Sequence, residues 1–111
     1  MDAVPDSYNG VALCTGSLSS DSAIGVPGII RSLKGRINFA HIRNTKHRAP
    51  VMSAIVKVLV DIGYDGSIRP SHGRGIWGEK SMPGYGLSDG ALGSQFILGL
   101  YDAIPREDCR N

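Results

Sequence analysis

Strand-like and helix-like segments alternate along this chain, and that alternation restricts its fold more than any single motif. Val11-Ala-Leu-Cys-Thr15 is a short apolar run between Gly10 and Gly16, the pattern of a buried strand. Over residues 25–34, Val26, Ile29, Ile30 and Leu33 recur at the three-four spacing of one helical face. Pro27 falls in the first turn, where proline is tolerated, and Gly35 follows as a C-terminal cap. Residues 37–43 read as a second strand. Residues 50–62 carry the clearest helical stripe, Met52, Ile55, Val56, Leu59 and Val60, opened by Pro50 and ended by Gly63. A third strand spans residues 64–69. After a long glycine-rich loop, residues 89–103 form the last helix, with Leu92, Phe96, Leu100 and Ile97 on one face. The order implies βαβ units and a parallel sheet, an α/β fold.

Three strands make a small parallel sheet, and such sheets normally have both faces covered. The 111 residues allow one small domain at most, so the pattern reads as a piece of something larger. No stretch approaches the ~20 apolar residues of a membrane span. The opening Met1-Asp-Ala-Val-Pro-Asp6 lacks the basic and apolar regions of a signal peptide. The expectation is therefore a cytoplasmic protein with no membrane partner. Two cysteines, Cys14 and Cys109, do not make a disulfide framework. Cys109 sits in a polar tail, residues 106–111, that is expected to fray. Net charge is only +2, and no aromatic residue interleaves the basic run Arg43-Asn-Thr-Lys-His-Arg48, so no nucleic-acid partner is expected.

Chemistry concentrates at the C-terminal ends of the strands, where α/β enzymes place functional loops. The loop Arg69-Pro-Ser-His-Gly-Arg-Gly-Ile-Trp-Gly-Glu79, with Pro83-Gly-Tyr-Gly-Leu87, combines five glycines with dense polar chemistry. It is suited to presenting side chains and not to burying apolar surface. Cys14 lies near the end of the first strand, His41 near the end of the second, and Ser71 and His72 follow the third. A thiolate and an imidazole brought together there are able to hold a divalent transition metal. Alternation of faces puts Cys14 with Ala12, and His41 with Phe39 and Arg43, leaving Leu13, Ala40 and Ile42 toward the helices. Each residue also has a plainer reading. Cys14 can be a small buried hydrophobe, His41 a hydrogen-bonded core residue, and Trp77 and Tyr85 packing for the loop.

Several strings together resemble mannonate dehydratase, the hydro-lyase of hexuronate (glucuronate) breakdown. They are Asn9-Gly-Val-Ala-Leu-Cys-Thr-Gly-Ser-Leu18, Gly35-Arg-Ile-Asn-Phe-Ala-His-Ile-Arg-Asn44, residues 58–66, Ile68-Arg-Pro-Ser-His-Gly-Arg74, Ile76-Trp-Gly-Glu79, Pro83-Gly-Tyr-Gly-Leu87 and Ala91-Leu-Gly93. The resemblance implies a TIM barrel, of which this chain would be the C-terminal fragment, the last three βα units of a (β/α)8 barrel with a C-terminal helix. It implies a divalent metal, Mn2+ or Fe2+, with Cys14 and His41 matching two ligands. It implies conversion of D-mannonate to 2-dehydro-3-deoxy-D-gluconate plus water. His72 and Tyr85 match the proton-transfer residues, and Arg43 or Arg74 is suited to a bidentate grip on the substrate carboxylate.

The resemblance also marks departures. The family motif reads Arg-Pro-Asp-His-Gly-Arg, its aspartate being a metal ligand, whereas Ser71 stands at that position here. A further histidine ligand of the family comes from an earlier strand, and between Lys46 and Val51 a longer family loop is reduced to His47-Arg-Ala-Pro50. The family's Leu-Tyr-Asp-Arg-Ala-Leu-Gly becomes Leu87-Ser-Asp-Gly-Ala-Leu-Gly93. The leading expectation is a truncated, impaired dehydratase relative. The alternative is a non-catalytic barrel remnant or interaction module that docks onto a partner chain. An open sheet with inward-facing Ile37 and Phe39 also implies a homo-oligomer or association with an N-terminal barrel segment.

Overall fold

A computed structural model describes residues 3–19, 25–43 and 51–105. Three strands, β1 (Val11–Cys14), β2 (Ile37–His41) and β3 (Ser67–Arg69), pair in parallel in the order β1-β2-β3. Four helices accompany them: α1 (Thr15–Leu18), α2 (Val26–Ser32), α3 (Val51–Asp61) and α4 (Leu87–Ala103). The protein is thus α/β with a parallel sheet, as the alternation predicts. The apolar residues at the ends of β1 and β2 meet the helices on one face. Leu13, Ala40 and Ile42 are buried there among Ile30 of α2, Ile55, Val56 and Leu59 of α3, and Ile97 of α4. Burial of each such Leu, Ile or Val is worth about 1.5–3 kcal/mol.

Local chemistry sets the element ends. Pro27 lies in the first turn of α2, and Gly35 (φ 77°) follows its end. At the end of α3, Gly63 adopts φ 71°. The Gly63 N–H donates to the Val60 carbonyl and the Tyr64 N–H to the Leu59 carbonyl. That pair of bonds is a Schellman cap. It occupies the Tyr64 amide, so β3 starts at Ser67 and not at residue 64.

Three sequence expectations are corrected. Ile37 does not share the open face with Phe39. The register jumps from Val11↔Ile37 to Ala12↔Phe39, so β2 carries an irregularity at Asn38 that turns Ile37 into the helix-side core. Phe39 stays half-buried on the other face, with Ala12 exposed beside it. On α4, Ile97 is buried, but Leu92 is 50% and Phe96 57% exposed. Both apolar groups of this helix cannot reach α3 at once, so one faces outward. Trp77 and Tyr85 do not pack the loop: they are 79% and 67% exposed. The tail with Cys109, and His47 with most of the basic run, lie outside the described residues.

The core runs out at β3. Ile68 is in register with Ala40 and yet 38% exposed. It borders an apolar groove of about 350 Å³ lined by Leu59, Val60, Tyr64, Leu98 and Tyr101.

Candidate active site at the strand ends

Parallel register places three chemically distinct side chains in one row. Cys14 pairs with His41, and His41 pairs with Arg69. The Cys14 sulfur lies 3.9 Å from Nδ1 of His41. Thr15, fully buried just beyond β1, locks the row. Its hydroxyl donates to the Arg43 carbonyl and accepts from the Arg43 N–H, both at 3.0 Å. Gly16 comes next because the Arg43 side chain lies across it, in the space a Cβ would fill.

Electrostatics prepares both donors. The Ser17 hydroxyl, 3.3 Å from the Cys14 sulfur, is the main cause that lowers the thiol's pKa; burial opposes it, and backbone N–H groups and Arg43 assist. His41 is held below the usual imidazole value, first by burial and then by Arg69, His72 and Arg43. Its ring is therefore neutral at pH 7. Its Nε2 is buried without a hydrogen-bond partner. An imidazole held toward its neutral form beside an acidified thiol fits two positions of a transition-metal site. Among the described residues no group of three or more His, Cys, Asp or Glu comes together, so this chain's described part offers a partial donor set.

The loop after β3 brings His72 to the same edge. Its ring lies 5.6 Å from that of His41 and 6.5 Å from that of Tyr85, edge-on in both cases. Two glycines make this possible. Gly86 donates its N–H to the Gly73 carbonyl at 3.0 Å; a Cβ on Gly73 would collide with the Gly86 backbone, and one on Gly86 with the Arg74 backbone. Two carboxylates pin the loop to α4. Glu79 accepts the Leu87 N–H at 2.8 Å, at the helix N-terminus, and Asp89 accepts the Arg74 N–H at 2.8 Å and meets its Nε at 3.5 Å. Between these anchors Trp77 has φ 54°, a strained conformation for a bulky residue.

The structure brings together Cys14, His41 and His72, with Tyr85 next to His72. Arg43, close enough to act on Cys14 and His41, and Arg74 both line a cavity of about 580 Å³ with Asp89 and Phe96. His72 and Tyr85 line an adjoining one of about 390 Å³. Ser71 borders both. Arg69 was not singled out from the sequence as a site residue. Its Nη2 lies 3.3 Å from Nδ1 of His72, and it lines the His72 cavity. Its place at the end of a strand, in register with His41, is the signal that reveals it.

The family model for D-mannonate dehydratase (UxuA) matches residues 1–111. The chain belongs to the D-mannonate dehydratase family. The mannonate dehydratase of Brachyspira hyodysenteriae is 47% identical over 121 residues, which cover 96% of this chain and 34% of that protein. The mannonate dehydratase of Enterococcus faecalis is 45% identical over 125 residues, covering 99% of this chain and 35% of the relative. The crystal structure of mannonate dehydratase from Streptococcus suis serotype 2 matches with a TM-score of 0.78 at 40% identity, over 90% of this chain and 34% of that one. The chain thus spans about a third of the length of the mannonate dehydratases it matches. These comparisons do not favour the alternative of an interaction module.

Proposed function

We propose that this chain is the C-terminal part of a (β/α)8 barrel that dehydrates D-mannonate to 2-dehydro-3-deoxy-D-gluconate in the cytoplasm. The observation that carries the reading is the meeting of Cys14, His41 and His72 at the C-terminal edge of a parallel sheet, in a member of this family. That edge is where barrel enzymes hold their chemistry. The open edges of β1 and β3 and the apolar groove beside Ile68 are the surfaces that further barrel strands, or a second copy, would cover.

Cys14 and His41 would hold the divalent metal, Mn2+ or Fe2+. When bound, the metal acts as a Lewis acid toward the sugar acid's oxygens and makes the hydrogen beside the carboxylate more acidic. The chain's own residues do the rest. A guanidinium offers only donors, so Arg69 bonded to His72 leaves Nδ1 as acceptor and the ring proton on Nε2. His72 is then the proton donor to the departing 3-hydroxyl, which leaves as water. Tyr85, in the same cavity, is the partner for the hydrogen on C2. Arg43 has no carboxylate partner among the described residues, whereas Arg74 is committed to Asp89, so Arg43 is the freer of the two for an anion. Ser71 is a neutral hydroxyl where the family motif has a charged ligand, and this weakens metal binding.

A chimera tests the reading. Residues 1–111 of this chain replace the matching third of the Brachyspira hyodysenteriae enzyme, and the 2-keto product is assayed with added Mn2+. The chimera carrying Ser71→Asp is expected to turn over D-mannonate, the unmodified one to be slower, and the one with Cys14→Ser in addition to be inactive. A Ser71→Asp chimera that folds, binds metal and yields no product contradicts the proposal. Assayed alone, the chain is expected to give little or no turnover.

A further inference from the structure

The two cavities at the strand ends divide the arginines, and the division bears on where the substrate's carboxylate sits. Dehydration removes the hydrogen on the carbon bonded to the carboxylate. The group that holds the carboxylate must therefore lie close to the groups that move protons. Arg43 and Arg74 line one cavity, and His72 and Tyr85 line the other. Of the charged residues among the described ones, Arg69 alone lines the cavity of His72 and Tyr85.

Three further observations concern Arg69. It ends β3 in register with His41, which is itself in register with Cys14, so it stands in the same row as the metal-donor pair. It has no carboxylate partner among the described residues, in contrast to Arg74, which is tied to Asp89. Among the described residues its guanidinium makes one hydrogen bond, through Nη2 to His72, and its other donors are uncommitted. A guanidinium that is exposed, uncompensated and partly fixed by one neighbour is suited to bidentate capture of a carboxylate. At about 390 Å³ the cavity lies within the range of small-molecule sites.

We propose that Arg69 binds the carboxylate of the sugar acid and so places C2 and C3 against Tyr85 and His72. The inference rests on the reading of this chain as part of a D-mannonate dehydratase, and it moves the carboxylate from the Arg43–Arg74 cavity to that of Arg69. Arg69 thereby selects acidic sugars over neutral polyols.

Isothermal titration of the full chain with D-mannonate and with D-mannitol, its uncharged counterpart, tests this. The wild-type chain is expected to prefer D-mannonate. Arg69→Gln is expected to weaken D-mannonate binding about ten- to a hundredfold, the range for a charged hydrogen-bonding partner, and to leave D-mannitol binding unchanged. Arg69→Lys keeps the charge without the fork and should fall between the two. Arg31→Gln removes the same charge from the exposed last turn of α2 and should stay within about twofold of wild type. If Arg69→Gln binds D-mannonate like wild type while Arg43→Gln loses it, the inference is overturned and the dehydratase reading stands. If Arg69→Gln loses both ligands equally, the residue acts on structure and the inference is overturned. A wild-type chain that does not discriminate D-mannonate from D-mannitol overturns the inference and removes support from the dehydratase reading as well.

Discussion

Replacing Thr15 by valine isolates the contribution of one hydroxyl to the geometry of the whole site. The side chain is fully buried and its shape is nearly that of valine. Its hydroxyl makes two hydrogen bonds of 3.0 Å to the backbone of Arg43, one as donor and one as acceptor. These bonds clasp the end of β1 to the residue just past β2, one position from Cys14 and two from His41. Losing both, at about 0.5–1.5 kcal/mol each, costs about 1–3 kcal/mol. With a urea dependence of roughly 1–3 kcal/mol per molar, the unfolding midpoint should fall by about 1 M. Thr15→Ser provides the contrast, because it keeps the hydroxyl and loses one methyl group worth about 0.8 kcal/mol. Valine is therefore expected to be the more damaging change. Hydrogen exchange of the Arg43 amide should accelerate in the valine variant only. If Thr15→Val unfolds with the wild type while Thr15→Ser is the weaker protein, methyl packing and not the hydroxyl clasp holds these strands.

Other perturbations bear on the loop, the thiol and the open edges. Gly86→Ala places a Cβ against the Arg74 carbonyl, so proteolysis within residues 69–87 should rise sharply, while Gly90→Ala, which faces open space, should leave it unchanged. In a Cys109→Ser background, alkylation of Cys14 should titrate below the ordinary thiol value, and Ser17→Ala should move that midpoint upward, because the hydroxyl is the largest cause of the lowering. An unmoved midpoint would assign the acidity to another group. With two open sheet edges and an exposed apolar face on α4, the isolated chain should scatter light as a species larger than its 11.8 kDa monomer. A monodisperse monomer with a cooperative melt contradicts this.

Much of the fold was legible because apolar periodicity records burial directly. The stripe Ile55, Val56 and Leu59 sits in the core, as do Leu13, Ala40 and Ile42, the strand residues expected to face the helices. Other features are decided by contacts that no periodicity records. The four-residue helix α1 follows Cys14 with no apolar repeat of its own. The irregularity at Asn38 reverses the face of Ile37 without any mark in residue type. Leu92 and Phe96 carry the right pattern for a core and still face outward, because α4 turns Ile97 and Leu100 toward the core instead. Site residues followed the same division. Cys14, His41 and His72 stand out as reactive types at strand ends, and the structure draws them together. Arg69 was hidden within a familiar string, since only strand register shows that it lies beside His41.

The central claim is that Cys14 and His41 act as a pair toward one metal ion, and cobalt substitution tests it most directly. Co2+ is added to the chain in a Cys109→Ser background, so that Cys14 is the one remaining thiol. Thiolate ligation gives a near-ultraviolet charge-transfer band. That band should appear, vanish in Cys14→Ser and weaken markedly in His41→Ala, as expected for a sulfur and an imidazole 3.9 Å apart that share one ion. A cobalt spectrum without the band, or one indifferent to both substitutions, would contradict the assignment of this strand-end pair as metal donors.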